Sequence, residues 1–200
     1  MFRDRRSARP PRAPVGSPTT IHAGASALEV ARRKREQARR LQQEAEQWEL
    51  GAAGEQATAH ELCRLPPSFV SLHDLSVPGS NANADHLVIG QSGLFMVDSK
   101  VASGRVPTRD GTLWRGRYPM RREFDTIRFE ASRLANHLGV TVTPVVCFAA
   151  GELDRPDQVV DGIRVLQLDR LVPALAEPRH DALAAADVVR IADAARRLMR

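Results

Sequence analysis

The sequence predicts an α/β protein in which a mixed sheet is flanked by helices and preceded by an N-terminal helical extension. Three observations support this fold class. The predicted elements follow the order helix, at least three strands, helix, two strands and helix, which is typical of layered α/β domains. Short turns join the first strands, which indicates antiparallel pairing there. A chain of 200 residues, 42% of them hydrophobic, is long enough to bury one core.

The N-terminal quarter has the composition of an extension. Residues 1–24 are rich in Arg and Pro, which predicts a disordered basic arm. Residues 25–50 predict a charged amphipathic helix, because small and apolar residues form a narrow stripe at helical spacing. The stripe consists of Ala31, Ala38, Leu41, Ala45 and Trp48. Such a helix packs on a partner or on its own domain, or it remains exposed.

Glycines, prolines and apolar runs predict the elements that follow. Gly51 and Gly54 interrupt the helical pattern, and the Pro66-Pro67 pair ends the next one. Apolar runs at residues 86–89 and 94–97, separated by Gly-Gln-Ser-Gly, predict a β-hairpin. The other expected elements are a helix at 55–65, a strand at 69–75, one or two short strands at 104–114, a helix at 124–138 closed by Gly139, strands at 140–149 and 162–168, a short helix at 171–176 and a final amphipathic helix at 184–198.

Composition excludes several classes of protein. No apolar run approaches the roughly 20 residues that span a bilayer, and the basic, Pro-rich start lacks the apolar region of a secretory signal. Cys63 and Cys147 lie far apart in apolar segments, as buried free thiols do. The six His are scattered without zinc-ligand spacing. We therefore expect a cytoplasmic protein with no membrane partner.

Positive charge is concentrated in the extension. Residues 1–50 hold 11 Lys and Arg against 6 Asp and Glu, whereas the remainder holds 18 of each. A basic arm binds a polyanion through phosphate contacts, or it is simply a solvated tail. Among the 29 basic residues, only Lys34 and Lys100 are Lys. Because Arg fills the other positions, Lys100 indicates a position that needs a compact ammonium group.

Three charged residues of the hairpin are predicted to share one face of the sheet. Side chains alternate along a strand, so Asp98 and Lys100 point one way and Ser99 points the other way. With a two-residue loop, the numbers of paired residues sum to 183 or 185, and Asp85 lies opposite Asp98 or Lys100. Directly opposite side chains have Cβ atoms about 5 Å apart. A three-residue loop would change this parity.

Two carboxylates and one ammonium at the open end of a hairpin suit phosphodiester hydrolysis. Carboxylate oxygens are ligands of Mg²⁺ or Mn²⁺, and such a metal lowers the pKa of a bound water and neutralises phosphate charge. Lys100 would orient that water and stabilise the transition state. A role for Lys100 as general base would need a strongly lowered pKa, which adjacent carboxylates oppose. The alternative is a surface hairpin that carries a cross-strand salt bridge.

These residues form a pattern that resembles a known family. The pattern is Gly54-Glu55, then Asp85-His86 followed by an apolar strand and Gly90, then Gly93 and an apolar strand that ends in Asp98-Ser99-Lys100. It resembles the nuclease-related domain (NERD) family over roughly residues 48–168. That family is placed in the PD-(D/E)XK nuclease superfamily, so the resemblance implies a restriction-endonuclease-like fold and a role in DNA processing.

The resemblance also implies roles by position. Asp85 and Asp98 match the metal-binding acids, and Lys100 matches the catalytic lysine. Glu55 matches the acid on the first helix that completes the metal site. Helical spacing supports this match, because Glu55 falls on one face with three apolar residues. Those residues are Ala52, Ala59 and Leu62. Alternatively, Glu55 is a first-turn acid that is stabilised by the helix N-terminus.

The sequence departs from the family pattern in two places. Ala84 stands where the superfamily name has Pro, and residues 119–134 contain no Gln of the kind that related nucleases carry after the lysine strand. Only Arg122 and Glu123 lie near that position, which puts turnover in doubt. Three further side chains are expected to pack rather than to bind ligands. They are His86, hydrogen-bonded on the opposite sheet face, and the aromatic residues Trp114 and Tyr118.

Together these inferences predict a metal-dependent nuclease that hydrolyses phosphodiester bonds of nucleic acid, with DNA favoured and Mg²⁺ or Mn²⁺ as cofactor. The alternative is a catalytically weak or inactive module that binds nucleic acid or protein on the same fold. Self-association or a protein partner through residues 25–50 also stays open. The expected regions are the arm (1–24), the charged helix (25–50), the NERD domain (51–178) and a C-terminal helix (179–200) packed on that domain.

Overall fold

Nine strands and four helices make up the part of the chain that the computed structural model describes, residues 24–179 and 182–199. The strands are β1 (Val70–Ser76), β2 (Asn83–Gly90), β3 (Gly93–Val106), β4 (Thr108–Arg109), β5 (Thr112–Arg115), β6 (Tyr118–Pro119), β7 (Thr143–Leu153), β8 (Asp157–Val160) and β9 (Ile163–Gln167). The helices are α1 (Ala25–Leu62), α2 (Arg121–Leu138), α3 (Leu168–Ala176) and α4 (Ala185–Arg196). Apart from Gly24, the arm predicted for residues 1–24 lies outside the described residues.

The main sheet is mixed, which confirms the predicted α/β fold class. Its strand order is β1-β2-β3-β7-β9-β8. β1, β2 and β3 pair antiparallel, whereas β7 is parallel to both β3 and β9. The long connection through α2 allows the parallel pairing of β3 with β7. β8, which the sequence did not indicate, pairs antiparallel with β9 at the edge of the sheet.

Helices cover both faces of this sheet because its central strands are apolar on both sides. Leu87 and Met96 point to one face, and Val88 and Val97 point to the other. α2 and α4 pack on the first face, which we call the α2 face. The end of α1 and α3 pack on the second, the α3 face. The alternation of side chains in β2 and β3 therefore decides which helix each residue meets.

The segment at residues 104–114, predicted to hold one or two short strands, contains the end of β3 and then β4 and most of β5, which belong to a second sheet. β4, β5 and β6 form a small antiparallel sheet of three strands. Gly139 closes α2 as expected, in the left-handed conformation with φ of 69°. Cys147 is a buried free thiol, but Cys63 is exposed, so its predicted burial is wrong. None of the helices in the described ranges has the length and hydropathy of a membrane span.

The chain divides into two units, one up to Gln43 and one from Glu44 onward. In the first unit, the described residues form the beginning of α1, where Leu41 is 58% exposed. In the second unit, Trp48 is 80% exposed. Four of the five side chains in the predicted stripe are exposed, and Ala31 is half-buried. Pairing of this helix with a partner stays a prediction.

α1 is one continuous helix, so the interruption predicted at Gly51 and Gly54 is wrong. A Cβ atom at Gly54 would lie 2.4 Å from Val101 Cγ2, whereas a Cβ atom at Gly51 would meet nothing within 4 Å. Gly54 is therefore explained by the close approach of α1 to β3 and not by a turn. The motif that resembles the opening of a helix lies inside one.

Alanine substitutions at the two glycines of α1 test this packing. Gly51→Ala should raise the free energy of unfolding by about 0.5–1 kcal/mol, because Ala has the higher helix propensity. Gly54→Ala should fall about 1–3 kcal/mol below Gly51→Ala, because the added methyl group overlaps Val101. Urea denaturation of the two variants measures the difference. Equal stabilities would show that α1 does not pack tightly on β3.

Candidate active site

The β2–β3 hairpin brings Asp85, Asp98 and Lys100 to one face of the sheet. The register pairs Gly90 with Gly93 and His86 with Val97, which confirms a two-residue loop and a sum of 183. Continued by one residue, this register puts Asp85 opposite Asp98. Because Val97 points to the α3 face, its neighbours on both sides point to the α2 face. The three charged groups therefore lie on the α2 face, at the end of the hairpin.

The paired backbone of the hairpin ends at His86 and Val97, and a side chain continues it. The Ser99 backbone N–H donates a hydrogen bond to Asp85 Oδ2 at 2.7 Å. A carboxylate thus takes the place of the strand carbonyl that would otherwise accept this N–H group. The position of the Asp85 carboxylate therefore follows from the backbone of β3.

Lys100 and Asp98 form an ion pair between Lys100 Nζ and Asp98 Oδ2. Their side chains are only 21% and 16% exposed. Burial raises the pKa of Asp98, and the ammonium of Lys100 opposes this rise. Asp98 Oδ2 is shielded from solvent and, within the described ranges, makes no hydrogen bond of regular geometry besides this ion pair. A partly buried charge of this kind needs its partner, because an unpaired carboxylate is costly in such surroundings.

The pKa of Asp85 is raised well above the usual range of a carboxyl group. Burial, followed by the negative charge of Asp98, raises the pKa of Asp85 to about 7. The hydrogen bond from Ser99 and the positive charge of Lys100 act in the opposite direction. Two acids that face each other in a dry corner resist simultaneous ionisation. Such perturbed acids cluster at functional sites.

Glu55 lies on α1 near these groups, but not in the orientation expected from helical spacing. Glu55 is exposed, and so is Ala52. The buried positions of this part of α1 are Gly54, Thr58 and Leu62, which lie one turn apart. The face of α1 that packs on the domain is therefore rotated away from the face predicted to contain Glu55. Burial is the largest cause of the raised pKa of Glu55, and the negative charge of Asp74 raises this pKa further. Two smaller effects come from Lys100, which lowers it, and from Asp98, which raises it. Glu55 therefore acts on the site through its charge from the rim.

Two acids of α2 face the site, and sequence reasoning missed the more buried one. Glu130 is 8% exposed and has no ion pair within the described residues. Burial raises the pKa of Glu130, and the charge of Asp98 raises it further. Glu123, noted for its position, also raises the pKa of Asp98. The spacing of Glu130 from Ile127 and Leu134 is a signal that could have placed it on the inward face.

Asp74 is a further acid beside the site that the sequence did not single out. β1 pairs with β2 at His73 and again at Leu75, but the intervening Asp74, which would face Asp85, is unpaired. Asp74 has a φ of 52°, in the left-handed region that costs a non-glycine residue energy. Asn83 Nδ2 donates a hydrogen bond to Asp74 Oδ1 at 2.8 Å. β1 is thus irregular at the level of the candidate acids.

A chain of hydrogen bonds supports the site from the opposite side of the sheet. His73 Nδ1 and His86 Nδ1 are 2.8 Å apart, and His86 Nε2 is 3.0 Å from Ser99 Oγ. Burial lowers the pKa of His86 to about 3, and it lowers the pKa of His73 as well, so both rings are neutral at pH 7. The expected role of His86 as a hydrogen-bonded packing residue is confirmed. Through Ser99, this chain fixes the amide that holds Asp85.

The carboxylates do not form a closed cage for a metal. Within residues 24–179 and 182–199, no three His, Cys, Asp or Glu side chains converge closely enough to hold an ion. The closest contact to the acids is the ammonium of Lys100. The site is therefore an open group of acids around the end of the hairpin, with the ammonium of Lys100 among them.

Comparison with known proteins agrees with the motifs. A family profile described as the nuclease-related domain, NERD, matches residues 50–149, half of the chain. The chain belongs to the NERD family. NERD domains are PD-(D/E)XK-like nuclease domains. No curated protein and no solved structure matches the chain significantly.

The NERD match contains every acid of the candidate site. It begins within α1, shortly before Gly54, and ends in β7. Asp74, Glu123 and Glu130 lie inside it, together with the four residues expected from the sequence. α3 and α4 lie outside the match, although both pack on the sheet that the NERD domain contributes.

The raised pKa of Asp85 makes the effect of Asp85→Asn depend on pH. In the folded protein Asp85 binds its proton up to about pH 7, whereas in the unfolded chain it loses it near pH 4. The wild type therefore loses stability relative to Asp85→Asn as pH rises between these values. We expect the free energy of unfolding of Asp85→Asn, relative to that of the wild type, to increase by about 3–4 kcal/mol from pH 4 to pH 8.

Urea denaturation over this pH range measures the gain. Asn keeps an oxygen that can accept the Ser99 N–H group, so the hairpin should stay intact. Asp169→Asn removes an exposed carboxylate from α3 and is the matched control. A stability difference between wild type and Asp85→Asn that is constant from pH 4 to pH 8 would contradict the burial argument.

Proposed function

We propose that this NERD protein is a metal-dependent nuclease that hydrolyses phosphodiester bonds of nucleic acid, with DNA as substrate. The observation that carries the proposal is the convergence of Asp85, Asp98 and Lys100 on one face at the end of the β2–β3 hairpin. Acids that hold a hard cation, beside a cation that binds phosphate, are the groups that this reaction needs. Membership of a family of nuclease-related domains supports a nucleic-acid substrate in general terms.

The donor set fits Mg²⁺ or Mn²⁺. Asp85 and Asp98 would hold the ion, and Glu55 would add negative charge from α1. Asp98 Oδ2 is shielded from solvent, and Lys100 is its only close partner among residues 24–179 and 182–199, so this oxygen is an available metal ligand. Mg²⁺ keeps several waters and needs only one or two protein carboxylates, so the lack of three converging donors in the described part of the chain is compatible with it. When bound, the ion would lower the pKa of a water and neutralise phosphate charge.

Lys100 would act on the scissile phosphate. Its ammonium already lies among the acids, where it would bind a non-bridging phosphate oxygen and stabilise the negative charge of the transition state. The Ser99 amide would keep Asp85 in place during this step, because it holds the carboxylate from the backbone. Burial of these groups strengthens each electrostatic interaction relative to bulk water.

A module that binds nucleic acid or protein without turnover is the second candidate. One observation favours it: Lys100 already neutralises Asp98 within the protein. The lack of a Gln in residues 119–134 points in the same direction. The cytoplasmic location expected from the sequence stays a prediction for either function.

A cleavage assay on single- and double-stranded DNA and RNA, with Mg²⁺ or Mn²⁺, tests the proposal. The wild type should cleave DNA, and chelation of the metal should abolish cleavage. Asp98→Asn and Lys100→Ala should each reduce the rate by at least about a hundredfold. The first removes a carboxylate that would hold the ion, and the second removes the ammonium that would stabilise transition-state charge. Lys100→Arg should also lose activity, since a planar guanidinium does not replace a compact ammonium.

Asp169→Asn on α3 is the control, since its carboxylate is exposed and outside the site. Circular dichroism of each variant excludes loss of fold as the cause. If the wild type cleaves none of the four substrates, or if Asp98→Asn cleaves as fast as the wild type, the nuclease proposal fails. Retained binding of DNA in that case would identify the second candidate.

A further inference from the structure

Positive charge within the domain is concentrated in the segment that begins at the end of β3, the strand that carries Asp98 and Lys100. Beyond residue 50 basic and acidic residues balance, yet residues 105–122 contain six Arg and one acid, Asp110. We call residues 105–122 the arginine platform. It begins at the end of β3, includes the small β4–β5–β6 sheet and ends at the start of α2. The net charge beyond residue 50 is zero, so the total does not show that positive charge is concentrated in this segment.

The arginine platform is fixed to the core of the domain. Val106 and Leu113 are fully buried, and Met120 is 1% exposed. All three belong to the core of the α2 face, the same face that carries Asp98 and Lys100. Because these apolar residues anchor the small sheet, the arginines between them and directly after them are held on a supported surface and not on a free loop. They are Arg109, Arg115, Arg117, Arg121 and Arg122, all exposed.

An aromatic ring lies exposed among these arginines. Tyr118 is 64% exposed, so the expectation that it packs is wrong, whereas Trp114 is half-buried. Arg117 Cζ lies 5.4 Å from the centroid of the Tyr118 ring. Exposed aromatic rings next to Arg side chains are the stacking platforms on which proteins hold the bases of single strands. In a chain with only 4% aromatic residues, an exposed Tyr in the most basic segment beyond residue 50 is unusual.

Few of these arginines are neutralised within the protein. Arg105 pairs with Asp154 at 2.7 Å, and Arg115 lies 3.6 Å from Glu123. Arg117 and Arg122 have no ion pair in the part of the chain that the structure describes. Exposed guanidinium groups without acidic partners attract phosphate, and each phosphate they neutralise releases counterions.

The arginine platform adjoins the candidate active site through Glu123. Arg115 contacts Glu123, and the charge of Glu123 raises the pKa of Asp98. Lys100 and Arg105 also lie on the same strand, β3. A strand bound along the platform would therefore lead toward the acids on the α2 face.

We infer that the arginine platform binds single-stranded nucleic acid, with phosphates on Arg117 and Arg122 and a base stacked on Tyr118. The inference deepens the proposed nuclease function, and rests on it for the assignment of the bound strand as substrate. Binding itself needs only the charge and the exposed ring. A single strand is favoured over a duplex because the faces of its bases are free to stack.

Binding of a fluorescein-labelled oligothymidylate to the full chain, measured by fluorescence anisotropy in EDTA at several salt concentrations, tests this inference. Arg117→Gln/Arg122→Gln should reduce the slope of log affinity against log salt by about 1.4, since each phosphate of a single strand contributes about 0.7. Tyr118→Ala should weaken binding about fivefold or more with little change of slope, because it removes stacking but no charge.

Arg190→Gln/Arg197→Gln is the matched control, since it removes two exposed arginines at α4 and its end. It should change binding less than the platform pair. Equal effects of the two pairs would overturn the inference, because they would reduce it to net charge. Unchanged binding by Tyr118→Ala, or equal affinity for the same sequence as a duplex, would overturn the assignment of a stacked single strand.

Cleavage separates this inference from the proposed function. Asp169→Asn, whose carboxylate is exposed on α3 and outside both surfaces, should bind the oligothymidylate and cleave as the wild type does. If the wild type binds through the platform but cleaves nothing, the nuclease proposal fails and the binding surface stands. If it cleaves while the platform variants bind normally, the inference fails and the nuclease stands.

Discussion

The hydrogen bond from the Ser99 amide to the Asp85 carboxylate is the interaction on which the candidate site depends. It replaces a rung of the β2–β3 ladder, so the strand that carries Asp98 and Lys100 also holds the acid opposite them. His86 and His73 extend this support on the other face of the sheet, through the Ser99 side chain. The Asp85 carboxylate is thus held by a backbone amide that two neutral imidazoles support, and none of these groups cancels its charge.

The acids of the site destabilise the folded protein when they are ionised, because they are buried close to one another. Burial raises the pKa of Asp85, Asp98 and Glu130, and each is raised further by another acid of the group. Lys100 is the cation that lowers the pKa of all three. A structural hairpin would gain stability if such acids were replaced by apolar residues. That they are held together so closely is the physical argument that they serve a ligand.

Local rules were sufficient for the hairpin and insufficient wherever two distant segments meet. The period of two along a strand and the Gly-Gln-Ser-Gly turn define which side chains share a face, and both are visible in the sequence. Gly54 could not be interpreted in this way, because its cause is Val101 on another element. The exposure of Tyr118 depends likewise on which residues anchor the small sheet. β8 is short and begins with Asp157 and Gln158, so no apolar alternation announces it.

Asp85 has a structural role besides the proposed catalytic one, and this affects how related sequences are compared. Its oxygen accepts the Ser99 N–H group where the pairing of β2 with β3 ends, so a related protein without catalysis would still gain from an acceptor at this position. Retention of Asp or Asn at position 85 is therefore weak evidence of catalysis. Lys100 makes no such contribution to the backbone, and its ammonium has a function only while the acids beside it are retained. Among homologues, the joint retention or loss of Lys100 and Asp98 is the better marker of a working enzyme.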